Sequence, residues 1–239
     1  MWAFASEKIV RAEGGNAVDH TARMSEAERT VRVALGPVTL EGTLGRPEHA
    51  TGVVLFAHGS GSSRHSPRNR FVARTLREAA LATLLIDLLT PDEEAVDMRT
   101  AHLRFDIGLL ADRLVGATQW LGQNPDTRDL KVGYFGASTG GGAALVAAAS
   151  YPAAVGAVVS RGGRPDLAGS ALPHVQAPVL LIVGGNDVPV IAMNREALAQ
   201  IRAEKRLEII PGATHLFEEP GALEEVARLA RDWFKRYLN

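Results

Sequence analysis

A serine between glycines becomes a nucleophile when the chain holds its hydroxyl clear of neighbours and a base lies within reach. Ser138 has that setting. In "KVGYFGASTGGGAALVAAA", residues 131–149, β-branched and aromatic residues pass through Gly136, Ser138 and Gly140 into an alanine-rich, helix-forming stretch. A strand that turns at once into a helix strains the serine backbone and leaves no room for flanking side chains, which is why GxSxG needs its glycines. The helix N-terminus also aims free N–H groups and a positive dipole end at any oxyanion formed there. Taken alone, the pentapeptide is equally a flexible loop. A nucleotide loop fits less well: GxGxxG needs another glycine spacing and an acidic residue ending the next strand. A P-loop needs lysine after its last glycine, and here Ala143 follows Gly142.

A serine hydroxyl needs a base, and the base needs an orienting group. Of seven histidines, His215 in "PGATHLFEE" follows the last predicted strand, at the end of the sheet where Ser138 stands. His58 opens "HGSGSS" and reads as a residue that holds its loop. His20, His49, His102 and His174 read as surface residues, and His65 as one at a pocket mouth. Asp187 ends "VLLIVGGND" and is the candidate acid, with the alternative that it only caps the helix around Pro189. Asp87, Glu218 and Glu219 suit helix capping or solvated charge better. Two backbone N–H groups should receive a developing oxyanion, from Thr139 after the serine and from Ser60 in the glycine loop at residues 58–63. The alternative for that loop is a tight turn and nothing more. Arg64, Arg68 and Arg161 stand near strand ends, where a guanidinium can take a substrate carboxylate bidentately; surface arginines are the commoner case.

The elements that must position these groups are legible in the patterning. "TVRVAL" and "VTLEGTLGRP" alternate with period two, as an antiparallel pair turning at Gly36 and Pro37. "GVVLFAHG", "ATLLIDLLT", "KVGYFGAS", "AVGAVVSRGG" and "PVLLIVGGND" are near-continuous apolar runs, as in parallel strands buried on both faces, and "RLEIIPG" makes a final edge strand. Leu103, Ile107, Leu110, Leu114, Ala117 and Leu121 form one helical stripe, and Leu223, Val226, Ala230, Trp233 and Tyr237 another. A weaker helix follows Ser66 and Pro67. Alternating strands and helices imply right-handed crossovers and a mostly parallel sheet covered on both faces. Residues 1–28 lack a sustained period and read as an N-terminal extension to a single domain over 29–239.

Bulk composition narrows the function classes. The chain has 239 residues, 46% of them hydrophobic, enough for one large α/β core. Its 26 basic and 27 acidic residues leave a formal charge of −1, which calls for neither nucleic acid nor an anionic membrane surface. With no cysteine, disulfides, thiolate metal sites and a cysteine nucleophile are excluded. No secretory signal or membrane-spanning run is visible, so a soluble, cytoplasmic protein acting on small molecules is expected.

Together "FAHGSGSSRHSPRNR", "LLIDLLTPDEE", "RFDIGLLADRL", "GYFGASTGGGAAL", "VGGNDVPV" and "GATHLFEE" resemble the dienelactone-hydrolase-like branch of the α/β-hydrolase superfamily, over roughly residues 30–238. The chain order Ser138, Asp187, His215 is that of the α/β-hydrolase fold. The resemblance implies an eight-stranded, mostly parallel sheet without a lid domain, Ser138 as nucleophile, Asp187 as acid and His215 as base, with no metal or organic cofactor. Dienelactone hydrolases in the narrow sense use cysteine, so Ser138 puts the name-giving lactone in doubt. Some relatives are fused to a phosphoribosyltransferase domain, and no segment here reads as one. The expectation is a carboxylesterase-like serine hydrolase for small esters or lactones, working through an acyl-enzyme. An acyltransferase or thioesterase with the same triad, or a non-catalytic binding protein on this fold, are the alternatives.

Overall fold

The computed structural model describes residues 28–239. Apart from Glu28, which opens the first strand, the extension expected over 1–28 lies outside the described residues, as does His20. Eight strands form one sheet: β1 Glu28–Leu35, β2 Val38–Gly45, β3 Gly52–Ala57, β4 Leu81–Ile86, β5 Lys131–Ala137, β6 Val155–Arg161, β7 Val179–Gly184 and β8 Lys205–Ile210. Their order is β1-β2-β4-β3-β5-β6-β7-β8. β1 and β2 pair antiparallel through the turn at Gly36, whose φ of +64° suits glycine, and β2 runs antiparallel to β4. Every other pairing is parallel. This is the α/β-hydrolase fold the sequence resembles.

Among the described residues six α-helices cover the sheet: α1 Pro67–Glu78, α2 Pro91–Thr100, α3 Ile107–Gln123, α4 Thr139–Ser150, α5 Val188–Gln200 and α6 Ala222–Tyr237. The apolar strands bury both faces, with successive residues alternating between two cores. Val53, Leu55 and Tyr134 pack with Leu110, Leu114 and Leu121 of α3 and the alanines of α4. Val54, Phe56 and Phe135 pack with Val72 and Leu76 of α1 and Val226, Ala230 and Phe234 of α6. The stripes of α3 and α6 therefore point inward as their spacing requires. Leu103 is an exception, belonging to a separate 3-10 turn at Leu103–Phe105 before α3 begins. Ser66 caps α1, its Oγ accepting the Asn69 N–H at 3.4 Å.

The patterning did not announce α2, and the reason is physical. Among its residues only Asp97 is buried, so it has no apolar stripe to read. Its start is held by a capping box, in which Thr90 Oγ1 accepts the Glu93 N–H and Glu93 accepts the Thr90 N–H. Its end is held by Asp97, whose carboxylate accepts both the amide and the Nε of Arg104. A 3-10 segment at Pro165–His174, after β6, was likewise unmarked. No helix among the described residues is long and apolar enough to cross a membrane.

Candidate active site

Ser138 joins β5 to α4 with φ +50° and ψ −121°, a conformation that side-chain-bearing residues rarely adopt and that persists only when the surroundings impose it. They do so through three hydrogen bonds. The Ser138 N–H donates to the Arg161 carbonyl at 3.3 Å, and its own carbonyl accepts the N–H groups of Gly141 and Arg164, each at 3.0 Å. The flanking glycines are obligatory. A Cβ on Gly136 would stand 2.5 Å from the Gly140 oxygen, and one on Gly140 would stand 2.2 Å from the Ala57 oxygen. The head of α4 thus lies hard against the end of β3, which brings the loop at residues 58–63 beside the serine.

Asp187 and His215 arrive from the adjacent strands β7 and β8. Their loops are stitched by the Asn186 N–H to the Ala213 carbonyl at 2.9 Å and by Asn186 Nδ2 to the Gly212 carbonyl at 2.8 Å. Asp187 occupies the N-cap position of α5, yet its side chain caps nothing. Its Oδ2 instead accepts a hydrogen bond from His215 Nδ1 at 2.6 Å. Helix capping, one of the two roles the sequence left open for Asp187, is thus not what its side chain does here. The hydrogen bond also leaves Nε2 as the free imidazole nitrogen, since the proton on Nδ1 is engaged. Ser138 and His215 line one cleft of about 230 Å³, together with Gly59, Ser60, Arg68, Asn69 and Arg161. No hydrogen bond joins the Ser138 hydroxyl to His215 in this structure; such bonds are often long until substrate binds.

Two other expectations resolve differently. The Ser60 amide, expected to face an oxyanion, donates to Thr139 Oγ1 at 2.9 Å, so it is already engaged and must exchange that partner before it can serve. Arg64, expected as a substrate-carboxylate ligand, is spent on Asp87 and Glu41: its amide reaches Asp87 Oδ1 at 2.7 Å, its Nη1 pairs with Asp87 Oδ2 and its Nη2 with Glu41 at 2.6 Å. It does not line the cleft. Arg161 does, and it is buried. His58 holds its loop as expected, accepting the Leu88 N–H on Nε2 at 3.1 Å while Nδ1 meets the Gly59 carbonyl at 3.0 Å. His49, His65, His102 and His174 are exposed.

Two residues in and behind the cleft wall escaped the sequence reading. Asn69, in the first turn of α1, lines the cleft; Phe217, two residues after His215, is buried behind it, with φ +56° and its ring 5.8 Å from the Arg161 guanidinium carbon. No local pattern marks either, because both are placed by neighbours distant in sequence. Open grooves of about 620 and 600 Å³ also exist. The first is lined by the starts of β5 and β6, at the opposite end of the sheet from Ser138, and the second by the β1–β2 turn and α3. Among the described residues no group of three or more histidine or acidic side chains is placed to hold a metal.

The dienelactone hydrolase family model matches residues 40–239. A crystal structure of a dienelactone hydrolase from Anabaena variabilis is 71% identical, covers 89% of this chain and 98% of its own, and superposes with a TM-score of 0.87. An esterase of Pyrococcus furiosus shares the fold at 17% identity, covering 97% of this chain and all of its own, with a TM-score of 0.70. A Mycobacterium tuberculosis protein bearing the name of a phosphoribosyl transferase is 58% identical over 227 residues, which is 95% of this chain. The chain spans about half the length of that relative.

Proposed function

The chain belongs to the dienelactone hydrolase family, and from that premise we propose that it is a serine hydrolase cleaving small esters or lactones through an acyl-enzyme. One observation carries the reading: a serine strained at the head of a helix shares a cleft with an imidazole whose Nδ1 is already held by a carboxylate at 2.6 Å. In the first step His215 Nε2 takes the proton from the Ser138 hydroxyl as Oγ bonds to the substrate carbonyl carbon. The tetrahedral oxyanion is received by the Thr139 amide, and by the Ser60 amide once it leaves Thr139 Oγ1. The alkoxide departs with the proton from His215. Water then attacks the acyl carbon, giving its proton to His215, which returns it to Ser138 Oγ as the acid is released. Asp187 holds the imidazole in the required tautomer and stabilises its cation. The test is labelling by a fluorophosphonate probe and turnover of a short-chain 4-nitrophenyl ester. Both are expected in the native chain and lost in Ser138→Ala; retained turnover in that variant overturns the reading.

A further inference from the structure

Four glycines near Ser138 are left over once its turn is explained. Gly136 and Gly140 make the turn, but Gly141 and Gly142 follow inside α4, and Gly162 and Gly163 follow β6. Each of the four stands where a side chain would meet a neighbour. A Cβ on Gly141 would lie 2.5 Å from Ser160 Oγ and 3.1 Å from the Gly163 Cα, and one on Gly142 would lie 2.7 Å from the Arg164 carbonyl oxygen. One on Gly163 would overlap Ser160 Oγ. Gly162 has φ +51°, and the place its Cβ would take is 3.2 Å from the His215 carbonyl oxygen and 3.5 Å from His215 Cε1. The first turn of α4 and residues 161–164 therefore meet backbone to backbone, with the imidazole against the same strap.

The strap holds Ser138 from both sides. Its Arg161 carbonyl accepts the Ser138 N–H and its Arg164 N–H donates to the Ser138 carbonyl, so two of the three hydrogen bonds that impose the strained conformation come from it. The Gly162 N–H donates to the Ile182 carbonyl of β7 at 2.7 Å. The Gly163 carbonyl accepts a hydrogen bond at 3.0 Å from Asn194 Nδ2, which also donates to the Val190 carbonyl at 2.8 Å. Asn194 is fully buried on α5, about two turns beyond Asp187 at the helix N-cap and so near the same face. A buried carboxamide is costly unless its bonds are made, and one of these bonds goes to the strap.

We propose that residues 161–164 keep Ser138 and His215 in register, and that Asn194 is the positioning residue that fixes this strap to the helix headed by Asp187. Asn194 touches no reacting atom. It acts by fixing a backbone carbonyl between two groups whose separation decides proton transfer, where a displacement on the order of 1 Å costs on the order of 100-fold in rate.

This rests on the hydrolase reading, and the experiment separates the two. Asn194→Leu keeps the volume and removes the donor, whereas Asn194→Gln keeps the donor and adds a methylene. Thr118→Val is the control, because Thr118 makes a buried hydrogen bond to Tyr134 at 2.6 Å and lines the groove at the opposite end of the sheet. Turnover of a short-chain 4-nitrophenyl ester is measured where every variant is folded, with the melting temperature beside it. Asn194→Leu is expected to lower kcat by on the order of 10- to 100-fold with KM changed by less than about threefold, as for a group that acts on the transition state alone. Asn194→Gln recovers part of kcat, and Thr118→Val keeps it at a comparable loss of stability. A kcat that follows the melting temperature across the three variants, or a native kcat in Asn194→Leu, overturns the proposal. Hydrogen exchange reads the strap without turnover: the Ser138 and Arg164 amides should exchange on the order of tenfold faster in Asn194→Leu and at the native rate in Thr118→Val. Native exchange of both amides in Asn194→Leu overturns the proposal even where activity falls. A native chain that neither takes a fluorophosphonate label nor turns over the ester overturns the hydrolase reading by itself, and exchange then decides the strap. If Asn194→Leu does not fold, Gly162→Ala carries the comparison: its Cβ against His215 should lower kcat with KM kept, and a native kcat there overturns the proposal.

Discussion

Arg64 and Arg161 look interchangeable along the chain, each an arginine near the carboxyl end of a parallel strand, yet they belong to two different kinds of wall. Around the glycine loop these groups have partners: Arg64 meets Asp87 and Glu41, His58 meets Leu88, the Ser60 amide meets Thr139, and Asp97 behind them holds Arg104. In the cleft wall where the end of β6 meets the head of α1, Arg161 Nε and Nη1, Arg68 Nε and Asn69 Oδ1 are buried without hydrogen-bond partners among the described residues. The first wall is a framework that keeps the glycine loop at one distance from Ser138. The second leaves buried polar atoms unsatisfied. Nearness to a strand end therefore says little about a charged residue until its neighbours are known.

The comparison can be broken at several points. The largest effect is expected where the walls meet: Ser138→Ala should lower turnover of a 4-nitrophenyl ester by on the order of 10⁴- to 10⁶-fold, read by steady-state kinetics with labelling as a check. Asp187→Asn should cost on the order of 10³- to 10⁴-fold through the wrong imidazole tautomer, with little change in melting temperature because this carboxylate caps no helix. A large fall in stability instead would return Asp187 to a structural role. In the closed wall, Arg64→Met strips the partly buried Asp87, and the exposed Glu41, of their counter-charge, and should destabilise by about 1–2 kcal/mol in urea unfolding. In the open wall the sign reverses. Arg161→Met replaces an unpaired buried cation with an apolar chain and should stabilise by about 1–2 kcal/mol in the same assay. If both substitutions destabilise equally, the two walls are alike and the contrast falls.

The elements that make the scaffold were legible because each carries its own repeating signal. Buried runs such as "GVVLFA" and "VLLIVG" need no partner to be recognised as strands with two covered faces, and the stripes of α3 and α6 announce which side packs. α2 was silent because a capping box and one buried aspartate stand where an apolar stripe would be. The turn at Ser138 was legible for the same local reason, since the glycines on either side answer to clashes within the turn and against β3.

By itself, then, the chain determined its fold, the elbow that presents Ser138, and the strand ends from which Asp187 and His215 enter, since these follow from periodicity and short-range sterics. The tertiary structure alone decided who bonds to whom: Asp187 to His215 and not to its helix, Ser60 to Thr139, Arg64 to Asp87, and the Arg161 side chain to no carboxylate among the described residues. The reason is that desolvation and pairing depend on groups brought together from distant parts of the chain, and no window of residues records which of them a buried charge will meet.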